Sequence, residues 1–404
     1  MLSLPNKAFS EFGSVKILVN LASLIPPVTG IGRYTQNILD RLLESSSVDD
    51  ILGLSPFGTF NREELMKFFL ENQECQSKYA PVQISRVREL VKHIPGTRKI
   101  WRWLKSAHAS HANRHLKGFV YWESNYLLLP FDGPSVLTIH DVSHIELPHF
   151  HPESRVVELN TQLPKSIKEA TRLAAVSEFT AQEVDALFKS NKPIDIISPG
   201  VDKSFFVDDQ NKVRDCRLRY KLPEKFILSV GTLEPRKNLI GVLDAFEKLP
   251  ISLQEKFPLV IIGVKGWKDE ALLKRINGLK TTGRVKALGY VDQSDLPLIY
   301  AAATISVYVS HYEGFGMPII ESMAAGTPVL TANVASMPEV AGGAALLANP
   351  NDVSEISYQL NRILTDELLV NSLKSLGLER ALNYTWDSSA QNLLSSLQKA
   401  KENL

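Results

Sequence analysis

The chain has 404 residues, 44% of them hydrophobic and 22% charged, with a formal net charge of +1. That balance is the one of a soluble globular protein with ample core and excludes intrinsic disorder or a collagen-like repeat, while the length suggests two domains of about 200 residues each. Two cysteines, Cys75 and Cys216, exclude a disulfide scaffold and make a reducing cytoplasm the expected setting. No apolar run reaches the roughly 18 residues of a membrane span, and the first twelve residues, with Pro5 and Glu11, form no signal-peptide block.

Strand-like and helical patterns alternate along the chain. VKILVNLA (15–22) precedes a helix from Ile31 to about Glu44; ILGLSPF (51–57), SVLTIHD (135–141) and LAAVS (173–177) follow, then a helix from Glu178 to Phe188 and IDIISPG (194–200). The pattern restarts with KFILSVGT (225–232), a helix over 238–249, PLVIIG (258–263), a helix over 268–279, RVKALGYV (284–291), ISVYVS (305–310) and a helix over 317–325. Strand and helix at this spacing predict an α/β protein with doubly wound parallel sheets. The restart predicts two such domains, with the polar residues 208–212 as the crossing between them.

Residues 86–118 break the charge balance, with nine Lys/Arg against the single acid Glu89. Within them Ile100, Trp103, Leu104 and Ala107 fall on one helical face beside Trp101. A basic helix with interfacial tryptophans suits anionic lipid head groups, so docking on the inner membrane surface is expected of it. A solvated helix with tryptophans in a core is the plainer reading. Nucleic acid is not expected, because no recognised motif for it accompanies the patch.

Ligands of open parallel sheets bind at the carboxyl ends of strands, where loops enter helices. Four such loops carry candidate chemistry. In Thr29-Gly30-Ile31-Gly32-Arg33-Tyr34, Gly30 and Gly32 let the backbone approach an anion at a helix start; the plain alternative is a tight turn. Gly231 opens a loop with adjacent cations Arg236 and Lys237, suited to a diphosphate, and with Asn238 as a cap for the next helix. In His311-Tyr312-Glu313-Gly314-Phe315-Gly316-Met317-Pro318, Glu313 lies in the loop and Glu321 eight residues on, in the helix that Pro318 opens. Carboxylates accept hydrogen bonds in pairs, which suits vicinal diols. The fourth loop sets His140 and Asp141 just past a strand, placed for a ligand or for a structural role.

Glu313 through Val329 resembles the E-x7-E motif of family 4 glycosyltransferases, E-G-F-G-x-P-x-x-E-x-M-A-x-G-x-P-V. The stretch 231–239, Gly-Ile-Gly-Arg-Tyr (30–34), Ala175-Val176-Ser177-Glu178, Pro199-Gly200-Val201-Asp202 and Gly289-Tyr290-Val291 with Leu296 to Tyr300 are similar to that family too, in its order, over residues 30 to about 340. The resemblance implies a GT-B fold: a Rossmann-like acceptor domain (1–205), a Rossmann-like nucleotide-sugar domain (206–385) and a final helix (386–404) crossing back to the first. It implies a retaining transferase that needs no metal and no cofactor beyond the nucleotide-sugar substrate; no Asp-x-Asp occurs in the sequence. By motif position Arg236 and Lys237 would stabilise the departing diphosphate, Glu321 would hold the ribose diol, and Glu313 with the amides of Gly314, Phe315 and Gly316 would hold the sugar. Tyr290 and Val291 would flank the base, His140 would sit over the sugar, Gly231 would line the donor site, and Gly30 and Gly32 would close on the phosphates. Ile139-His140-Asp141, Leu147-Pro148 and His151-Pro152 are similar to the bacterial mannosyltransferases that build O-antigen and other surface polysaccharides. That implies GDP-mannose as donor, with GDP-rhamnose or a UDP-hexose as alternatives, and a glycan or lipid-linked acceptor. Thr29 departs from the family, where many members have a further glycine.

Two other readings stay open. A nucleotide-dependent oxidoreductase would use the Gly30 loop with Asp49 or Asp50 as ribose ligand, although Thr35 stands where its third glycine belongs. An epimerase or hydrolase of nucleotide sugars would need no acceptor.

Overall fold

The computed structural model describes residues 13–25, 29–55, 58–75, 116–264, 266–267 and 270–402. The basic stretch 86–115 with its tryptophans lies outside these residues. Two sheets organise the rest. The first has seven strands, β1 (Val15–Asn20), β2 (Val48–Ser55), β3 (Gly58–Phe60), β4 (Phe119–Glu123), β5 (Ser135–Ile139), β6 (Arg172–Ala175) and β7 (Ile194–Ile196), in the order β3-β2-β1-β4-β5-β6-β7. Every pairing in it is parallel except β2 with β3. The second holds β8 (Ile227–Val230), β9 (Leu259–Ile262), β10 (Val285–Gly289), β11 (Ile305–Tyr308), β12 (Val329–Ala332) and β13 (Leu346–Ala348), all parallel, in the order β10-β9-β8-β11-β12-β13.

The central strands β4, β5, β9, β11 and β12 are buried along their whole length, as sheets covered on both faces require. The covering helices show the complementary stripe. In the helix Gly30–Glu44 the buried positions are Gly32, Tyr34, Thr35, Ile38, Leu39, Leu42 and Leu43, a face repeating every three or four residues. This is the doubly wound α/β architecture with two Rossmann-like domains. Each sheet reverses its strand order once, between β1 and β4 in the first and between β8 and β11 in the second. Such a switch point splays the loops at the carboxyl ends of the two strands and opens a crevice between them.

Several elements differ from the sequence expectation. The polar residues 208–212 are a helix start rather than an open crossing: Asp209 accepts from the amides of Asn211 and Lys212 and caps the helix Gln210–Arg219. Strands β3, β4, β12 and β13 escape the pattern, being three to five residues long. Asn238 stands at the N-cap position of the helix Leu239–Glu247 in a left-handed conformation, but its side chain makes no cap and donates to the Pro350 carbonyl at 2.7 Å instead.

The last helix, Trp386–Glu402, lies on the first domain. Its buried stripe of Ala390, Leu393, Leu394, Leu397 and Ala400 packs beside the helix Gly30–Glu44 and over the first sheet. Arg41 Nε donates to Asp387 at 2.6 Å and Ser396 Oγ to Asp195 at 2.6 Å, while Asp195 also takes both guanidinium arms of Arg172. The entry to this helix crosses the chain at Gly200, where a Cβ would stand 2.2 Å from the Trp386 nitrogen and 2.5 Å from the Thr385 carbonyl carbon. Both neighbours are backbone, so neither can rotate away. Gly200→Ala is expected to destabilise the protein by about 1–3 kcal/mol through overpacking, read as a lower urea midpoint; an unchanged midpoint would show that the junction yields freely.

Candidate active site

The site forms at the switch point of the second sheet. β8 ends at Val230, and the chain then runs through Gly231 and a single tight turn, Pro235–Lys237, that presents two cations. β11 ends opposite, at Tyr308, and leads into the loop that carries Glu313.

Glu313 is 6% exposed and divides its carboxylate between those cations. Oε2 accepts from Arg236 Nη1 at 2.9 Å, and Oε1 accepts from Lys237 Nζ at 2.7 Å. Arg236 also donates to the Tyr312 carbonyl at 2.7 Å and to Glu234 Oε1 at 2.8 Å; Lys237 also donates to the Tyr308 hydroxyl at 2.7 Å. Burial alone would raise the Glu313 pKa, but the charges of Arg236 and Lys237 prevail and hold it at about 2. Burial works against the charge on Arg236 as well, and the carboxylates of Glu313, Glu234 and Asp141 outweigh it. For Lys237 burial wins, and its pKa is lowered despite Glu313. The three ionised groups hold one another in place.

The second glutamate has a different setting. Glu321, in the helix Met317–Ala324, is 4% exposed, accepts from the Tyr300 hydroxyl at 3.1 Å and faces Arg33 Nη1 at 3.9 Å. Burial raises its pKa, with Arg33 opposing. Arg33 belongs to the first domain, so this ion pair spans the cleft.

From the first domain, β5 delivers His140 and Asp141. His140 Nε2 lies 2.8 Å from the Ser124 carbonyl; a carbonyl only accepts, so the proton is on Nε2 and Nδ1 keeps a free lone pair. Its ring meets Tyr34 and Tyr126 edge-on, and burial lowers its pKa, so the imidazole is neutral at pH 7. Asp141 accepts from the Ser143 amide and hydroxyl, and its pKa stands at about 2 because Arg236 and these hydrogen bonds overcome burial. The two domains touch here: a Cβ on Gly314 would fall 1.7 Å from the His140 carbonyl oxygen, an approach only glycine permits.

The other residues named from sequence are distributed around this centre. Gly231 is half-buried below Lys237, and Gly316 sits at the N-cap position of the helix Met317–Ala324. Phe315 is buried against Tyr384. Gly30 opens its helix exposed, and Gly32 is buried immediately before Arg33. Tyr290 is 66% exposed, whereas Val291 is 4% exposed within the core. Asp49 and Asp50 lie at the start of β2, the wrong end of a strand for a ribose ligand, which removes the support for a dinucleotide-dependent oxidoreductase. Sequence reasoning missed Glu234, although it sits inside the quoted Gly231 motif, and Tyr300 and Tyr308, which read as core aromatics of a helix and a strand. Among the described residues no group of His, Cys, Asp and Glu is arranged to hold a metal, and no helix is long and apolar enough to cross a membrane.

Comparison with known proteins places this geometry. The sequence matches the family models described as Glycosyltransferase Family 4, over residues 28–205, and Glycosyl transferases group 1, over residues 217–380. It is 32% identical to the O-antigen chain mannosyltransferase B of Escherichia coli, over 93% of this chain and 97% of that protein. Among solved structures, the fold is similar to a sucrose-phosphate synthase from Thermosynechococcus elongatus (TM-score 0.69, 20% identity, 96% of this chain and 100% of that one). It is also similar to the Anabaena protein HepE crystallised with UDP and glucose (TM-score 0.61, 18% identity, 95% and 99%). The two matched halves, one on each sheet, and the near-complete alignment to a mannosyltransferase make this chain a member of the family 4 glycosyltransferases, with the GT-B fold.

Proposed function

We propose that this enzyme transfers mannose from GDP-mannose to a glycan or lipid-linked acceptor of a surface polysaccharide, with retention of anomeric configuration and without a metal. The observation that carries the reading is the pair Arg236 and Lys237, buried at the switch point of the second sheet and balanced by Glu313. The mannose assignment is supported by the relatives named O-antigen chain mannosyltransferase, in Escherichia coli and Salmonella typhimurium.

Charge supplies the mechanism. Breaking the bond from sugar C1 to the diphosphate leaves positive charge on the sugar and negative charge on the departing group. Cations fixed beforehand at the leaving group stabilise that separation, each contact worth about 3 kcal/mol or roughly a hundredfold in rate. Before the donor arrives, Glu313 occupies the cations. A diphosphate, carrying more charge, takes them over and frees the Glu313 carboxylate to accept from a sugar hydroxyl a few ångströms away. The neutral His140 offers its Nδ1 lone pair to a second sugar hydroxyl, and Glu321 with Tyr300 receives the ribose diol. The acceptor hydroxyl then attacks C1 from the face the diphosphate leaves: the C1–O bond to phosphate breaks, the new C1–O bond forms, and the acceptor's proton passes to the leaving phosphate oxygen.

Replacing both cations, Arg236→Ala with Lys237→Ala, is expected to lower kcat by more than about a hundredfold; near-native turnover of the double variant refutes their assignment. A second reading, a UDP-hexose donor, is favoured by the UDP and glucose in the HepE structure. Thermal shift with GDP, UDP, ADP and NAD separates them, since a ligand at a hundred times its Kd adds about 2.7 kcal/mol of stability. A rise in Tm with GDP alone is expected; a rise with UDP alone keeps the enzyme class and overturns the donor. Free sugar or an epimer released without acceptor would move the enzyme to the hydrolases or epimerases. The basic residues 86–118 are proposed to hold the enzyme on anionic membrane, so charge reversal of Lys99, Arg102 and Lys105 is expected to abolish sedimentation with anionic vesicles; unchanged sedimentation refutes this.

A further inference from the structure

The motif Ala175-Val176-Ser177-Glu178 plays no part in the mechanism above, yet it sits where the two domains meet. It ends β6 and starts the helix Glu178–Phe188 of the first domain. The first amides of a helix have no partner within the helix and carry its positive end. Here two of them are taken by a side chain of the other domain: Glu339 Oε1 accepts from the Glu178 amide at 3.0 Å and Oε2 from the Phe179 amide at 2.9 Å. Ser177 caps the same helix through the Thr180 amide, and its hydroxyl donates across the cleft to the Gly314 carbonyl at 2.6 Å. Thr180 Oγ1 donates to that carbonyl as well, at 3.1 Å.

On the second domain these contacts converge on one loop. Ser336, which precedes the helix Met337–Ala341 that carries Glu339, shares its one hydroxyl proton between the carbonyls of Glu313 at 2.8 Å and Phe315 at 2.9 Å. Three consecutive carbonyls, 313 to 315, are therefore fixed, two from within the domain and the middle one from across the cleft. Arg380 holds the other side of the Glu339 turn through the carbonyls of Glu339 and Val340. Tyr312, next in the loop, is hydrogen-bonded to Glu183 of the first domain.

We propose that Glu339 is a positioning residue: its carboxylate, seated on the N-terminus of the helix Glu178–Phe188, clamps the two domains in the placement that fixes the Gly314 loop. The partner groups are main-chain amides of the opposite domain, so the bond exists only in that placement. The same turn grips the Gly314 carbonyl, so domain placement and loop geometry are set in one step. A carboxylate receiving two amide hydrogen bonds at a helix N-terminus is the strong form of such a contact.

The clamp rests on the proposed transfer reaction, and the test separates the two. In Glu339→Ala, kcat for sugar transfer is expected to fall by about tenfold or more, the loss of hydrogen bonds to a charged group, while the Kd of the free nucleoside diphosphate stays within about twofold. Amide hydrogen exchange is expected to speed up at Glu178 and Phe179 and to stay slow from residue 181 to 188. Glu339→Gln, which keeps one accepting oxygen, is expected to fall between wild type and Ala. Thr180→Val, which removes only the hydroxyl bound to Gly314 and leaves Ser177 to cap the helix, is expected to lower kcat without changing exchange at 178 and 179. A Glu339→Ala enzyme with kcat within about twofold of wild type refutes the clamp. So does exchange that rises along the whole helix, since Glu339 is then only a structural cap. Should the wild type transfer no sugar from any nucleotide, the transferase reading fails, and the exchange pattern alone still decides whether Glu339 clamps the domains.

Discussion

A carboxylate buried between two cations is the constraint on which the rest of this site depends. Glu313, Arg236 and Lys237 are all largely withdrawn from water, and each would be costly to bury alone. Removing one partner of such a group strands the others. The arrangement is therefore balanced within itself, each charge being met by an opposite one. Glu234 and Asp141 lend further negative charge around Arg236, which keeps the guanidinium ionised in spite of its burial. Lys237 is the member whose charge burial disfavours, in spite of Glu313 beside it.

The fold makes this possible by simple topology. A strand order that reverses once leaves the loops after β8 and β11 facing each other with nothing between them. The cations come from one loop and Glu313 from the other, so the ion pairs also tie the two halves of the second domain together. The first domain repeats the device, with the helix start at Gly30 on one side of its reversal and the residues after β4 on the other. The last helix then returns to pack on the first domain, so the chain crosses between domains twice and its ends are held by Asp195, Arg41 and the close contact at Gly200.

Much of this was legible in the sequence, for identifiable reasons. Long alternations of strand and helix announced two parallel sheets, and the glycine-, proline- and charge-bearing loops marked the segments that meet at the switch point of the second sheet. Arg236, Lys237 and Glu313 converge although the Glu lies 77 and 76 residues from its two cations in sequence, because each stands just after a strand adjacent to the other's. What stayed hidden was short or remote. β12 and β13, VLTA and LLA, are too brief to show a period. Asp209 reads as part of a polar crossing until its carboxylate is seen capping a helix. Asn238 has the residue type of a cap but takes a left-handed backbone, and its side chain serves Pro350 instead. Tyr308 and Tyr300 look like core aromatics because their rings are; only their hydroxyls, at Lys237 and Glu321, belong to the site. Glu339 resembles any exposed helix acid, since its partners are backbone amides some 160 residues away.

Several of the contacts across the cleft share one destination. Arg33 reaches Glu321, the His140 carbonyl abuts Gly314, Ser177 and Thr180 hold the Gly314 carbonyl, and Glu183 meets Tyr312. All of these end on the segment from Tyr312 to Glu321, the same segment that carries both glutamates. A loop held only by its own domain would keep its shape whatever the other domain did. This one has its middle carbonyl bound by the opposite domain, so the placement of Glu313 and Glu321 is tied to the placement of the domains. The two domains are thus joined through main-chain atoms of the loop whose glutamate pairs with Arg236 and Lys237.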